Sequence, residues 1–583
     1  MYGIGYIRHF YTTYSIGALG FFYHLFVASM LMVVSSSNGL FFLLAWEIMS
    51  IASYFLVVYE RNDESNVSAG FLYLIMTHVG TVFIALSFLL MYSFIGSLDF
   101  AVLQAKAAHI PPFEGGVIFL LALAGLGTKA GIIPFHVWLP SAHPAAPSHV
   151  SALMSGVMIK TGIYMMIRMF MDILAPIPLW WGIVVLVVGS ASALLGVLYA
   201  LTEHDIKRLL AYHSIENIGI ILLGLGSALV FTSLGNSALA LLSLAAALFH
   251  TLNHATFKSL LFLSAGSVIS QTHTRNMEEY GGLIKYMPHT ASFFLIGSMA
   301  ISALPPFNGF FSEWMTFQAL LSGTASSDIF VRSIFIVATG SLVVTGGLAC
   351  ACFVKAFGTT FLARPRSAEI IHAKESAPSL LFGMGSLAAL CLLFGVFSGY
   401  AGALFANVGS SLNALHSASS PITALSLWSG LTIPDGVGSV SAPLLVALFI
   451  AALTLVVILA RFAVNREQKT SIGRTWDCGV DLTPGMEITA TGFSRSIVLI
   501  FAGILRPSVQ NTVDYHDSEM RYLPKSKKVI LGISDVYRAY LYRPLYKYTA
   551  MLSAKVRVIQ SGNIHMYISY ILATVVVVLL LSL

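Results

Sequence analysis

The sequence predicts an all-α polytopic membrane protein of about thirteen transmembrane helices, with two inverted five-helix repeats, two broken helices and a C-terminal amphipathic helix along the membrane. Three observations lead there: apolar runs of bilayer length, an uneven distribution of loop cations, and charged residues that recur inside the spans. The 583-residue chain is 57% hydrophobic and only 10% charged, with a mean hydropathy of +0.83, whereas a soluble domain carries about 25% charge. Its apolar residues gather into runs of about 20 or more, enough to cross about 30 Å of hydrocarbon as a helix. Runs such as VVLVVGSASALLGVLYA do not alternate, which argues against a transmembrane barrel.

The runs fall at 16–36, 39–59, 68–95, 117–139, 148–171, 178–201, 209–231, 236–270, 289–321, 333–362, 379–405, 442–463 and 564–583. Loops after even-numbered runs hold Arg61, Lys207, Arg208, Arg275, Lys285, Arg364, Arg366, Lys374, Arg461, Arg466, Lys469 and Arg474. Those after odd-numbered runs hold Lys106, Arg168 and Arg332. Cytoplasmic loops are the Lys/Arg-rich ones, so the N-terminus is expected in the cytoplasm and the C-terminus outside. The formal charge of +6 is spread between spans rather than along one basic face, so nucleic acid is not an expected partner. The start, MYGIGYIRHFYTTYSIG, lacks the pattern of a removable signal peptide. Cys350, Cys352, Cys391 and Cys478 form no CxxC pair and suit neither zinc nor an iron–sulfur cluster, so no cofactor or redox centre is expected in this chain.

Between the last two spans, RAYLYRPLYKYTAMLSAKVRVIQSG interleaves Tyr and basic residues with Leu, Val and Met, as a helix lying in the interface would, with an interruption near Pro544. A loosely ordered linker is the alternative. The run at 488–505 is expected not to span. Two spans are interrupted by prolines, one at Pro134 and one at Pro305 and Pro306. Such breaks free backbone polar groups at membrane depth and, at matching places in two halves, point to an ion pathway.

A charge inside a span is unfavourable by about 2.5–3.5 kcal/mol even on the lenient insertion scale. Glu47, Lys129 and Lys160 lie in spans 2, 4 and 5, and Glu216, Glu313 and Lys355 lie in spans 7, 9 and 10. The two series are related by a shift of five helices, and an odd shift inverts topology. His78 in span 3 has its counterpart in span 8, which carries His250, His254 and Lys258 on one helix face. Imidazoles accept a proton on one nitrogen and donate from the other, so this column reads as a proton relay. Burial disfavours an ammonium and a nearby carboxylate favours it, so movement of Glu47 relative to Lys129 would toggle proton affinity. Structural ion pairs between helices, a zinc site at His250 and His254, a headgroup-seeking Lys258 and a core role for His213 are the competing readings, and Lys207 and Arg208 read as positive-inside anchors. Expected segment boundaries are 1–175 and 176–365 for the two repeats, 366–465 for additional helices, 466–563 for a cytoplasmic-side amphipathic segment and 564–583 for the last span.

The runs GTKAGIIPFHVWLPSAHPAAPSHVSALMSGVMIKTGIY, DIKRLLAYHSIENIG, HTLNHATFKSLLFLSAGSVI and ALPPFNGFFSEW resemble the signature of the antiporter-like subunits shared by respiratory complex I, Mrp-type cation antiporters and membrane-bound nickel–iron hydrogenases. AYHSIENIGI and TWDCGVDLTPGMEITATGFSRS look most like the hydrogenase 4 and formate hydrogenlyase type. The resemblance implies that Glu47 is the essential glutamate, Lys129 the lysine paired with it and Lys160 the next lysine toward the centre. His250 and His254 match the central linking histidines, and Glu313 the outlet position. It further implies a lateral helix before span 13, and about three helices ahead of span 1 that this chain does not contain. The implied function is a non-redox subunit of a bacterial or archaeal inner-membrane complex that moves protons, or Na+, as peripheral iron–sulfur and [NiFe] subunits transfer electrons. The alternatives are a membrane component of an Mrp-type Na+/H+ antiporter or of an NADH–quinone oxidoreductase, and a structural anchor.

Overall fold

The computed structural model describes residues 3, 14–362, 364–415, 440–463, 479, 482–516, 522, 524–533, 536–557, 562 and 564–582. Arg466, Lys469, Arg474 and Cys478, with the start of the TWDCGVDL run, lie outside the described residues. The chain divides into two compact units, Met1–Ile497 and Val498–Leu583.

The first unit is helical. Its first three spans are α1 (Ile16–Ser35), α2 (Gly39–Val57) and α3 (Glu64–Ile95), capped by Ser15, Asn38 and Asp63, whose side chains accept from first-turn amides. A short helix, α4 (Phe100–Lys106), follows. The fourth span is broken as expected: α5 (Pro112–Ala130) ends at Gly131 with φ +81°, and the chain resumes helically at α6 (Leu139–Ala145). The fifth, α7 (Ser148–Ile173), carries π-turns at Met154–Met158 and Arg168–Ile173. Next come α8 (Leu179–Thr202), α9 (Ile206–Ser233) and α10 (Ser237–Thr272). At 36 residues, α10 is about 54 Å long, well beyond the hydrocarbon thickness. The ninth crossing is two half-helices, α11 (Pro288–Ile301) and α12 (Asn308–Gly323), and α13 (Ile329–Phe357) is the tenth span.

The eleventh span was expected as one helix. It is two, α14 (Pro378–Val396) and α15 (Ser398–Ser410), hinged at Phe397. Just before the hinge, a Cβ on Gly395 would lie 2.2 Å from the carbonyl oxygen of Pro306, so the hinge is moulded to the break between α11 and α12. The twelfth span is α16 (Ala442–Ala463). The run at 488–505 forms α17 (Ala490–Ile500), which at 11 residues is about 16 Å long and too short to cross. Among the described residues twelve helices are long and apolar enough to span a membrane. The ninth crossing is not one of them because its two halves are each too short.

Both breaks satisfy their freed polar groups with protein. In the first, Ile133 N–H donates to Ser192 Oγ (3.1 Å) and Trp138 Nε1–H to the Thr128 carbonyl (2.8 Å). In the second, Asn253 Nδ2 donates to the Asn308 carbonyl (2.9 Å) and Asn308 Nδ2 to Asn253 Oδ1 (3.0 Å).

A two-strand bridge also recurs five spans apart. Asn38, before α2, bridges Asp99, after α3, with Gly39 N–H donating to the Leu98 carbonyl (2.8 Å) and Phe100 N–H to that of Ser37 (2.9 Å). Asp205, before α9, bridges Asn276, after α10, with Ile206 N–H on the Arg275 carbonyl (3.0 Å) and Met277 N–H on that of His204 (2.9 Å).

The closest packing joins α8 to α9. Gly182, Gly189 and Gly196, seven residues apart, face Gly219 and Gly226, also seven apart. A Cβ on Gly219 would meet the Ala193 nitrogen at 2.3 Å, and one on Gly196 would meet the Glu216 nitrogen at 2.6 Å. Backbones meeting at small residues are what hold helices together where lipid is as apolar as the side chains. Centrally, α10 packs on α9, on α7 and on α11, α12, α14 and α15.

In the second unit, the amphipathic segment contains a hairpin ahead of the expected interfacial helix: β1 (Pro507–Tyr515) pairs antiparallel with β2 (Pro524–Ile533), Pro507 opposite Ile533, with a register shift at Asp514/Tyr515. Val509, Asn511, Val513 and Tyr515 lie on one face of β1, as alternate residues of a strand do. A π-turn at Arg538–Tyr542 runs into α18 (Arg543–Arg557) at Pro544, whose missing N–H breaks the regular ladder where the interruption was expected. The last span is α19 (Ile564–Ser582).

Replacing Gly219 by Ala must push α8 and α9 apart and is expected to destabilise the protein by about 1–3 kcal/mol, as overpacking does. Gly115→Ala, at a site with open space around it, is expected to change stability by less than about 0.5 kcal/mol. Melting of the detergent-solubilised protein checks both.

Candidate functional site: a row of ionisable side chains

Glu47 of α2 and His78 of α3 form the first pair, with Oε2 and Nε2 3.4 Å apart. His78 Nδ1 lies 2.9 Å from the Leu74 carbonyl, which can only accept, so Nδ1 carries a hydrogen. The contact between Nε2 and the carboxylate therefore holds one mobile proton, on either the ring or the acid. Both side chains open onto the outer face of the unit, 49% exposed for His78 and 28% for Glu47, although Glu47 Oε1 is buried with no hydrogen-bond partner. Apolar Leu44, Ile51, Phe71, Ile75 and Val79 are exposed on the same two helices.

Lys129, in the last turn of α5, was expected beside Glu47. Its amine donates to Ser50 Oγ (2.8 Å) and Tyr73 OH (3.2 Å), with the Trp46 and Tyr73 ring centroids 5.5 and 5.4 Å away. Ser50 and Trp46 are on α2, the helix of Glu47, whose charge reaches the amine. Ser53 Oγ, 2.6 Å from Tyr73 OH, extends this hydroxyl cluster.

At the centre, Lys160 of α7 donates to the Ser155 carbonyl, exposed by the π-turn that precedes it. Ser155 Oγ lies 2.8 Å from Ser214 Oγ of α9, and Ser214 Oγ donates to the Leu210 carbonyl (3.2 Å). Lys258 of α10 donates to that same carbonyl. Lys258 is fully buried midway along its helix, so the headgroup-seeking reading is set aside. Two carbonyls, of Ser155 and Leu210, and the two serine hydroxyls thus lie between an amine from the first five spans and an amine from the next five.

Beside them, Glu216 contacts Nδ1 of His213, three residues earlier on α9, so His213 is the partner of the glutamate rather than an isolated core residue. His250 Nε2 faces Asn217 Oδ1 (3.2 Å) and Nδ1 faces Ser312 Oγ (3.0 Å). Asn217 Nδ2 donates to the His213 carbonyl (2.8 Å), so its Oδ1 accepts and Nε2 of His250 carries the hydrogen. Ser312 Oγ sits also 3.1 Å from the Gly309 carbonyl. When its hydroxyl donates to Nδ1 the ring is neutral, and when it turns to Gly309 the ring is held doubly protonated. Glu313, on α12 next to Ser312, is buried.

His254 and His143 are fully buried with neither ring nitrogen hydrogen-bonded, and the charges of Lys160 and Lys258 reach both. His143, at the end of α6, stacks on Phe262 (5.1 Å) and was not singled out in the sequence. Nor were Ser155, Ser214, Asn217, Asn253 and Ser312. The signal for them was amides and hydroxyls inside otherwise apolar spans. Lys207, read as a headgroup anchor, is instead buried and donates to the carbonyls of Ala146 and Pro144, where α6 leaves its last acceptors unpaired. Lys355, at the end of α13, lies at the rim of this row. Its amine donates to the carbonyls of Leu201 (2.7 Å) and Glu203 (3.0 Å), capping α8. Among the described residues, no group of three or more His, Cys, Asp or Glu is placed to hold a metal ion, and His250 turns to Asn217 and Ser312.

Residues 36–340 match the family described as NADH:quinone oxidoreductase/Mrp antiporter, TM. Over 588 aligned residues the chain is 39% identical to hydrogenase-4 component B of Escherichia coli K12, covering 100% of this chain and 85% of that one. It is 37% identical to formate hydrogenlyase subunit 3 of the same organism, over 83% and 74%. Its fold is similar to a chain of the membrane-bound sulfane sulfur reductase, an archaeal respiratory membrane complex, with a TM-score of 0.74, 25% identity and coverage of 96% and 83%. The Mrp complex from Dietzia sp. DQ12-45-1b gives a TM-score of 0.58 at 24% identity, over 67% and 76%. A polytopic helical chain with two interrupted spans and an internal row of lysines, glutamates and histidines belongs, on these grounds, to the NADH:quinone oxidoreductase/Mrp antiporter transmembrane family.

Proposed function

We propose that this chain is the antiporter-like membrane subunit of a complex I-like [NiFe] hydrogenase of the hydrogenase 4 or formate hydrogenlyase type, conducting protons across an inner membrane as partner subunits transfer electrons. The observation that carries this reading is the link Lys160–Ser155–Ser214–Leu210–Lys258, which joins the ionisable groups of the two halves through α9 and α10. The Ser155 and Ser214 hydroxyls can relay a proton between them while the two carbonyls hold the amines on either side, and the charge of Lys258 reaches Lys160, so the two amines repel when both are charged. A proton arriving at one lysine therefore drives one away from the other. The hydroxyl of Ser312 and the single shared proton of Glu47 and His78 supply further two-state elements. Buried nitrogens of His143 and His254 are groups that a file of water would satisfy.

Two inverted repeats, spans 1–5 and 6–10, account for this arrangement, and the recurring bridges at Asn38/Asp99 and Asp205/Asn276 support them. The exposed Glu47–His78 pair favours a neighbouring membrane subunit on α2 and α3, since a carboxylate facing lipid is unfavourable by a few kcal/mol. The redox subunits with iron–sulfur clusters and nickel–iron would lie outside this chain. Similarity to a Na+/H+ antiporter component from Alkalihalophilus pseudofirmus, 33% identical over 64% of this chain, keeps Na+ as the second reading of the coupling ion.

In inverted vesicles carrying the assembled complex, Glu47→Gln and Lys129→Ala are each expected to reduce proton translocation more than about tenfold with assembly intact. Unchanged translocation in both would leave a structural anchor as the reading. Ser155→Ala removes the hydroxyl between the halves and is expected to slow translocation by about tenfold, while Ser155→Thr retains most of it. Acidification that requires Na+ on the opposite side, measured with a sodium electrode, would assign the ion to Na+.

A further inference from the structure

Residues 482–494, which follow the twelfth span in sequence, hydrogen-bond to the second half within the first unit. Their hydrogen bonds there, among the described residues, go to the loops after α8, α10 and α13 and to Lys355 near the end of α13. Arg364 donates its backbone N–H to Glu487 Oε2 (2.7 Å) and its guanidinium to the Leu482 carbonyl (2.7 Å), and Arg366 reaches the Ile488 carbonyl (3.2 Å). At the start of α17, Thr491 presents its N–H and its hydroxyl to Glu278 Oε1, both at 2.6 Å. Since that hydroxyl proton is given to the carboxylate, Thr491 Oγ1 accepts from His204 Nε2, 2.6 Å away. His204 is itself 3.6 Å from Glu278 and about one-third exposed. One turn further along α17, Ser494 is 2% exposed and its Oγ lies 3.4 Å from the amine of Lys355.

We propose that His204, Glu278 and Thr491 form a surface inlet through which protons reach Lys355, and that α17 completes it by placing Ser494 against the amine. This inference rests on the proton-conducting reading above and adds a route by which the second half meets the aqueous phase. The triad is built to take up a proton: Glu278 supplies the negative charge, and His204 donates into Thr491 in the charged state. Thr491 and Ser494 are three residues apart on one helix face, about 5–6 Å, a gap that a single water spans. One proton taken from solvent by the triad leaves as one proton delivered to a neutral Lys355, through Ser494, whose hydroxyl now rests on the Ala490 carbonyl (2.7 Å) and turns to the amine. The carbonyls of Leu201 and Glu203 then hold the ammonium.

Charge reinforces the one-at-a-time character of this step. Burial holds His204 below its ordinary pKa, the ammonium of Lys355 lowers it further, and Glu278 with the Thr202 backbone opposes both. A proton on Lys355 thus discourages the next one on His204. The other ionisable groups at this corner are Arg275, paired with Asp205, Arg208, paired with Glu203, and Cys352 and His213, which face Lys355 from inside.

The test is proton translocation against pH in vesicles carrying the whole complex. With a lowered pKa, His204 binds a proton below its ordinary value near 6.5 and loses it as pH rises, so the wild-type rate should decline across that limb. His204→Gln keeps a donor to Thr491 but cannot titrate, and is expected to lose that limb and run about fivefold slower at acid pH. Ser494→Ala should be about tenfold slower with Ser494→Thr near wild type, a rescue that a merely structural contact would not require. Should Ser494→Ala prevent assembly, His204→Gln, at a side chain about one-third exposed, decides alone. Wild-type rate and pH profile in both variants, while Glu47→Gln abolishes translocation, would overturn the inlet. If Glu47→Gln is also without effect, it is the proton-conducting reading that fails.

Discussion

An ammonium inside a bilayer must be solvated by the protein that holds it, and here the Leu210 carbonyl on α9 has that task between Lys258 and the serine pair that reaches Lys160. A helical carbonyl is free to accept a second bond because its oxygen has two lone pairs. Everything at the centre of the unit is arranged around that face of α9: Glu216 and His213 on the next turn, Asn217 fixing His250, and Ser214 touching the π-turn of α7. Displacing α9 would strand several buried polar groups at once.

The position of α9 is in turn set by its contact with α8, where glycines at seven-residue spacing bring two backbones together. Such packing leaves little freedom to slide, since any Cβ on the seam meets a backbone atom rather than a flexible side chain end. Gly196 stands directly against the backbone of Glu216, so the seam that holds the scaffold also places one of its carboxylates. The interrupted spans serve the opposite purpose. Asn253 and Asn308 exchange hydrogen bonds across the second break, which keeps irregular backbone at depth without leaving it unpaired and puts Ser312 and Glu313 at the start of a fresh helix.

Legibility in the sequence followed the range of the interaction. Spans, breaks at Pro134 and at Pro305 and Pro306, and the column His250, His254, Lys258 were readable because each depends on spacing within one segment. Partners were harder. His213 and Glu216 are three residues apart and their pairing was within reach of helical periodicity. Lys207 was misread because loop charge statistics describe side chains that face headgroups, and the carbonyl end of α6 that captures it lies about sixty residues away in sequence. The hairpin at 507–533 drew no expectation because its strands, PSVQNTVDY and PKSKKVILGI, carry no regular apolar–polar alternation.

Composition and local pattern by themselves determined that this chain lives in a bilayer, that its helices break in two places and that charges recur within its apolar spans, because hydrophobic length and backbone geometry are properties of contiguous residues. Tertiary structure decided which charges meet. Lys129 turns to Ser50 and Tyr73, Glu47 to His78, and Lys355 to the end of α8, 154 residues before it. Those choices depend on how closely helices approach and how they are rotated, and a shift of one residue on a helix turns a side chain by about 100°, from one neighbour to another.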